Sequence, residues 1–116
     1  MLLNFSNHPS ANWPGTQKDS ALSGYVRIED LAFPQIPPEM NAFDLDLLVE
    51  KYVVKIKNIN PIAVHIMGEL VFTYRLVKRL KEIGYLCIAS TTERNVADDG
   101  NGNKTSTFKF VQFREY

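Results

Sequence analysis

Residues 61–70 read PIAVHIMGEL, and this stretch decides the fold class. The segment Ala63–Met67 is apolar on both sides apart from His65, which is typical of a strand buried at the centre of a sheet. Gly68 predicts a turn, and a helix follows from about Glu69, with a buried stripe of Leu70, Tyr74, Val77, Leu80 and Ile83. A buried strand that leads straight into a helix predicts an α/β fold.

The residues before this stretch repeat the same alternation. A strand is predicted at Leu2–Phe5, and a helix runs from about Pro14 to Leu22, with Asn12 as its cap and Gly24 as its end. A weak strand follows at Tyr25–Ile28, and three prolines in FPQIPPEM exclude regular structure there. A second helix begins at Asn41 or Asp44, and its apolar positions repeat at three and four: Leu45, Leu48, Val49, Tyr52, Val53 and Ile56.

After the deciding stretch, Gly84 ends the third helix and Tyr85–Ala89 is a fourth strand. DDGNGN at 98–103 is a strong turn signal, so Thr105–Phe113 pairs back as an antiparallel hairpin strand. Because crossovers between parallel strands are right-handed, few topologies remain. We expect one Rossmann-like domain over residues 1–116: a three-layer sandwich with a mostly parallel five-stranded sheet in the order 2-1-3-4-5, and strand five as an antiparallel edge.

The composition limits the classes of partner. Thirteen basic residues balance thirteen acidic ones, which argues against a non-specific DNA or RNA binder but allows a small anionic ligand. The single cysteine, Cys87, permits no disulfide framework and favours a reducing compartment. The N-terminus lacks the pattern of a secretion signal, and no apolar run approaches the roughly 18 residues of a membrane helix. We expect a cytoplasmic protein without a membrane partner.

Three polar clusters follow predicted strands, at the edge where open parallel sheets bind ligands. They are Ser6-Asn7-His8-Pro9-Ser10, Gly68-Glu69, and Ser90-Thr91-Thr92-Glu93-Arg94. The first and third helices begin at the same edge, and their free N–H groups favour an anion. With Arg94, His8 and several hydroxyls added, the predicted cleft suits a phosphate.

Several segments resemble the small accessory proteins of type III CRISPR systems, Rossmann-like relatives of the sensor domains that bind cyclic oligoadenylate. The resemblance covers most of the chain and lies in NFSNHPS at 4–10, HIMGE at 65–69, IASTTER at 88–94 and TFKFVQFREY at 107–116. It implies a cyclic oligoadenylate ligand, and either a ring nuclease that destroys this second messenger or a binder that sequesters it. The chain departs from this group in the turn after strand three, where Gly68-Glu69-Leu70 replaces a more glycine-rich sequence.

A ring nuclease can cleave cyclic oligoadenylate without metal, because the ligand carries a 2′-hydroxyl beside each phosphodiester and the 2′-oxygen can attack the phosphorus. His8 would be the catalytic acid or base, and Arg94 would hold the non-bridging phosphate oxygens. The other predicted ligand-binding residues are Ser6, Asn7, Ser10, Gly68, Glu69, Ser90, Thr91 and Thr92. No cofactor is expected, and the histidines lack the spacing of a metal site. The rotational symmetry of cyclic tetra-adenylate favours a homodimer with two clefts on one ring. A Rossmann-like interaction subunit without nucleotide is the third hypothesis.

Each candidate residue also has a structural interpretation. His8-Pro9 could be a simple turn, and Glu69 a favourable acid in the first turn of its helix. Ser90–Thr92 could simply continue the fourth strand. Arg94 could form a surface ion pair with Glu93, Asp98 or Asp99 on the hairpin. His65 is better explained as a satisfied core histidine, and Trp13 as packing rather than as a platform for adenine.

Overall fold

The computed structural model describes residues 1–116 and contains five strands and three α-helices in alternation. The strands are β1 (Leu2–Ser6), β2 (Ile28–Asp30), β3 (Ala63–Met67), β4 (Leu86–Asp98) and β5 (Lys104–Glu115). The helices are α1 (Gly15–Tyr25), α2 (Ala42–Ile59) and α3 (Leu70–Glu82). A short 3₁₀ turn at Ser10–Asn12 lies between β1 and α1.

The five strands form one sheet in the order β2-β1-β3-β4-β5, which confirms the predicted topology. β1 runs parallel to both β2 and β3, β3 runs parallel to β4, and β5 is antiparallel to β4. The α/β architecture is therefore Rossmann-like, with an antiparallel edge strand. None of the three helices is both long and apolar enough to cross a bilayer.

The alternation of side chains along the strands divides the core between two faces of the sheet. On one face, Leu3, Phe5, Val64 and Ile66 pack against the buried stripes of α2 and α3 in a cluster of 14 buried residues. On the other face, a smaller cluster unites Leu2, Ala63 and Ile88 with Trp13 and with Ala21 of α1. The same alternation places Asn4 and His65 on the α1 face, where the apolar layer is thin.

The boundary between α1 and β2 differs from the prediction. Gly24 does not end α1, which continues to Tyr25 and is capped by Val26 at a φ of 71°. The Val26 N–H still bonds to the carbonyl oxygen of Leu22 at 3.1 Å, so the last helical turn is closed. The predicted strand at Tyr25–Ile28 is therefore wrong in position, because β2 begins only at Ile28.

The buried faces of α2 and α3 were predicted with different success. α2 buries the predicted stripe of Leu45, Val49, Tyr52, Val53 and Ile56, with Leu48 half-buried, and Asn41 caps its start through a bond from the Asp44 N–H. On α3, Val77 and Leu80 are buried as predicted, but Leu70 is 84% exposed and Tyr74 is 68% exposed. The buried stripe instead runs through Phe72, Thr73, Leu76, Val77 and Leu80. The apolar residues of VFTYRLVKRL allow two neighbouring stripes, and docking against α2 selects one of them.

The hairpin is longer than the sequence indicated, because β4 continues through the polar run to Asp98. This outcome confirms that Ser90–Thr92 extends the strand. A bulge between Thr91 and Thr92 leaves Val111 without a partner on β4. Since one extra residue reverses the alternation, the bulge keeps Phe110 on the same face as Phe113.

Candidate functional site

A cavity of about 610 Å³ lies on the α1 face, beyond the carboxyl ends of β1 and β3 and against Ser90 and Thr92 in the middle of β4. Its aromatic surface comes from Trp13, Phe108 and Phe110, and its polar surface includes His8, Gln17, His65, Ser90 and Thr92. The position is the one predicted from topology, since open parallel sheets bind ligands outside the carboxyl ends of their strands. The volume lies within the range of about 300–1,000 Å³ that is common for small-molecule sites.

No carboxylate, lysine or arginine side chain lines this cavity. Aromatic faces and neutral hydrogen-bonding groups therefore dominate its inner surface. Such a surface suits a flat heteroaromatic ring, which stacks on aromatic side chains and presents polar edges.

Behind the cavity, a chain of four side-chain hydrogen bonds crosses the parallel part of the sheet. Gln17 Nε2 lies 3.0 Å from Ser90 Oγ, and Ser90 Oγ lies 2.7 Å from His65 Nε2. His65 Nδ1 lies 2.9 Å from Asn4 Oδ1, and Asn4 Nδ2 lies 2.7 Å from Asp30 Oδ1. We call these five residues the relay. The strands β4, β3, β1 and β2 supply one residue each, and α1 supplies Gln17.

The partners of Asn4 determine the direction of every bond in the relay. Asn4 Nδ2 contacts two acceptors, the His8 carbonyl oxygen at 2.8 Å and the Asp30 carboxylate, so the amide orientation is fixed. Asn4 Oδ1 can then only accept, which places the proton of neutral His65 on Nδ1. His65 Nε2 is left with a lone pair, and the Ser90 hydroxyl donates to it.

Burial keeps the imidazole of His65 neutral. The side chain is 1% exposed, and the pKa of His65 falls from 6.5 to about 4. Desolvation is the larger cause, because burial penalises the charged form, and the nearby His8 contributes a smaller repulsion. Both ring nitrogens have partners, so the interpretation of His65 as a satisfied core histidine is confirmed, although the ring also reaches the cavity.

The loop after β1 is held in place by the same network. Asp30 accepts from the Ser10 hydroxyl at 2.8 Å and from the Ser10 N–H at 3.2 Å. The His8 carbonyl oxygen accepts from Trp13 Nε1 at 3.0 Å and from Asn4. Trp13 itself is buried, with its ring centroid 5.1 Å from that of His65, so it packs the loop onto the sheet and also forms part of the cavity.

Four of the ten residues predicted for the site line the cavity: Asn7, His8, Ser90 and Thr92. Ser6 is buried beneath it and bonds to Asn4 Oδ1 at 2.8 Å, whereas Ser10 is turned towards Asp30. Thr91 bonds to the backbone of Gln112.

The Gly68-Glu69 pair lies outside the cavity lining. Both Glu69 carboxylate oxygens cap α3, accepting from the Val71 N–H at 3.2 Å and the Phe72 N–H at 2.7 Å. The sequence analysis expected the N–H groups at the start of α3 to be free for an anion. Two of them, those of Val71 and Phe72, are instead bonded to the Glu69 carboxylate. Gly68 lies under the ring of Phe33 and leaves no room for a β-carbon.

Arg94 lies at the margin of the cavity rather than in its lining. It is two residues beyond Thr92 on the same strand and therefore on the same face. Its guanidinium donates to Ser106 Oγ at 3.1 Å and forms no ion pair. The predicted surface ion pairs with Glu93, Asp98 or Asp99 are absent.

Sequence reasoning missed several residues that build the site, chiefly Asn4, Gln17, Asp30, Phe108 and Phe110. For Asn4 a signal was present: it is a polar residue inside the apolar strand LLNFS, just as His65 interrupts AVHIM. Two such interruptions in adjacent parallel strands are paired in the sheet. Gln17 and the two phenylalanines carry no comparable signal, because their placement depends on the docking of α1 and on the bulge in the hairpin.

Comparison with known proteins gives one match. The model of the Uncharacterized protein MJ1673 family matches residues 1–114, which is almost the whole chain. No curated protein and no solved structure matches the sequence. On the strength of that match, the chain belongs to the MJ1673 family.

Proposed function

We propose that this protein binds cyclic oligoadenylate in the cavity and cleaves it without metal, as a ring nuclease of a type III CRISPR system. The observation that carries the proposal is the cavity itself, in which aromatic side chains and hydroxyl, amide and imidazole groups meet beyond the carboxyl ends of β1 and β3. The sequence resemblance supplies the identity of the ligand.

The aromatic surface is the part of the cavity suited to adenine. Phe110 is buried, whereas Phe108 is 68% exposed and offers an open ring face at the entrance. Stacking of a base on an aromatic side chain contributes about 1–3 kcal/mol. Gln17 and Thr92 lie in the same lining and can bond to the polar edge of the base.

The phosphates would lie at the margin of the cavity, where Arg94 is available. Its guanidinium is bonded only to a neutral hydroxyl, so a phosphate would not have to displace a carboxylate. Hydrogen bonds to charged groups contribute about 1.5–3 kcal/mol. We therefore expect Arg94→Ala to weaken binding of cyclic oligoadenylate by ~10-fold or more. Lys109→Ala removes the same charge from the opposite face of the hairpin and should have little effect.

The assembly we propose is a cytoplasmic homodimer. Cyclic tetra-adenylate has rotational symmetry, and a two-fold dimer would present two equivalent cavities to one ring. Analytical ultracentrifugation with and without the ligand tests this part. A monomer that binds one ring per chain would contradict it.

The test of function is incubation of the pure protein with radiolabelled cyclic tetra-adenylate and cyclic hexa-adenylate, with a chelator present throughout. Separation of products from bound ligand distinguishes the hypotheses. Linear product supports a ring nuclease, and a stable complex without conversion supports the alternative, a binder that sequesters the messenger. If the ligand neither binds nor raises the melting temperature, the ligand assignment is wrong and an interaction subunit becomes the better hypothesis.

A further inference from the structure

The relay contains a single hydroxyl group, that of Ser90, and this group lies in the lining of the cavity. Ser90 lines the cavity, and its Oγ accepts a bond from Gln17 at 3.0 Å while its proton points to His65 Nε2 at 2.7 Å. A serine hydroxyl bonded to a neutral imidazole, which a third residue orients, is the arrangement by which proteins activate a hydroxyl.

We propose that Ser90 is the catalytic hydroxyl of this cavity and that it transfers protons to His65, with Asn4 as the positioning residue. The proposal deepens the proposed function and rests on its substrate, because the proton to be removed belongs to a 2′-hydroxyl beside a phosphodiester.

The reaction balances without metal or a co-reactant. The 2′-hydroxyl gives its proton to Ser90 Oγ while Ser90 passes its own proton to His65 Nε2. The 2′-oxygen forms a bond to phosphorus, and the bond between phosphorus and the 5′-oxygen breaks. Solvent protonates the leaving 5′-oxygen, and His65 later returns its proton to solvent. The product is a linear oligoadenylate with a 2′,3′-cyclic phosphate end.

Positioning favours Ser90 over His8 as the group that contacts the attacking hydroxyl. The His8 ring is exposed and makes no hydrogen bond within the chain, since only its backbone N–H and carbonyl are bonded. Ser90 Oγ is held from two sides, and its partner His65 is fixed in one tautomer. Because a catalytic group held in place costs no ordering at the moment of reaction, the relay is the better-prepared proton acceptor.

The lone pair on His65 Nε2 can act as a temporary proton acceptor. Buried and neutral in the free protein, His65 has an available lone pair, although its lowered pKa makes it a weak base. The negative charge of a bound phosphate favours the imidazolium and therefore raises that pKa. At the far end of the relay, Asp30 accepts from Asn4 and so holds Asn4 in the orientation that positions His65.

The first test compares single-turnover cleavage and binding of cyclic tetra-adenylate. Ser90→Ala should slow cleavage ~100-fold or more, in the range expected for lost acid–base help, while affinity changes less than ~3-fold. Ser90→Thr, which keeps a hydroxyl, should recover most of the rate. Ser20→Ala, an exposed serine of α1, is the matched control. If Ser90→Ala cleaves within ~3-fold of the wild-type rate, the proposal is overturned.

The second test needs no nucleotide and separates this proposal from the proposed function. The wild-type protein is treated with a small phosphonofluoridate, and the labelled serine is identified by mass spectrometry. We expect Ser90 to be labelled in the wild type and spared in a folded His65→Gln variant, with Ser20 unlabelled in both. If Ser90 is labelled but cyclic oligoadenylate is not cleaved, the hypothesis of an activated Ser90 hydroxyl is supported and the proposed substrate is wrong. If Ser90 is not labelled in the wild type, or is labelled equally in the His65→Gln variant, the proposed activation of Ser90 by His65 is wrong.

Discussion

The buried imidazole of His65 makes the stability of this protein sensitive to mild acid. The pKa of His65 is 6.5 when the chain is unfolded and about 4 in the folded structure, a difference of about 2.5. Between these two values the unfolded state binds more protons than the folded state, so stability falls as the pH falls. At 1.36 kcal/mol for each unit of pKa difference, the full effect is about 3 kcal/mol, and it is complete only below pH 4. From pH 7 to pH 5 we expect a loss of about 2 kcal/mol from this group alone.

Urea unfolding followed by tryptophan fluorescence measures this loss. Trp13 is the only tryptophan and lies against His65, so its signal reports on this part of the core. The change in the free energy of unfolding between pH 7 and pH 5 is compared between the wild type and His65→Gln. The variant should be less stable at pH 7, but its loss on acidification should be smaller by about 2 kcal/mol.

His8→Gln is the matched control, because the chain contains only these two histidines. Since burial is the larger cause of the lowered pKa and His8 the smaller one, this variant should keep most of the acid sensitivity. If His65→Gln loses as much stability as the wild type between pH 7 and pH 5, the reasoning about His65 is refuted. The same conclusion would follow if NMR titration showed the His65 ring becoming protonated near pH 6.5.

Two further predictions concern the turn between β3 and α3. Glu69→Ala removes the acceptor of two backbone N–H groups at the start of α3 and should lower the free energy of unfolding by about 1 kcal/mol, measured in urea at pH 7. The control variant Glu39→Ala, in the exposed proline-rich loop, should leave the free energy of unfolding unchanged. Equal effects of the two variants would contradict the capping role of Glu69. Gly68→Ala places a β-carbon against the ring of Phe33 and should cost about 1–3 kcal/mol by overpacking. Part of that cost should be recovered in the double variant with Phe33→Leu, and no recovery would show that the strain lies elsewhere.

The predictions from sequence were most accurate where a short-range pattern carries the information. The apolar run at Ala63–Met67 correctly indicated a central strand, and the three-and-four repeat of α2 correctly indicated its buried face. Strand order followed from the alternation of elements and the handedness of crossovers. Boundaries were less predictable: α1 passes through Gly24, and β4 extends nine residues beyond the predicted Ala89 to Asp98.

The polar residues of the candidate site were only partly predictable. The sequence indicated the right edge of the sheet and four of the lining residues, because carboxyl ends of parallel strands meet there. It did not reveal that Glu69 caps its own helix, since a carboxylate at that position is equally compatible with a ligand contact.

The sequence by itself thus determined the architecture, because the periods of strands and helices and the turn signals between them are local properties of the chain. Only the tertiary structure decided which polar side chains meet. His65 and Asn4 are 61 residues apart in sequence, and Gln17 and Ser90 are 73 apart. Their hydrogen bonds depend on the register between β1 and β3, on the docking of α1 and on the extension of β4. A hydrogen bond forms or fails within a few tenths of an ångström, and no local pattern in the sequence specifies distances across the sheet to that accuracy.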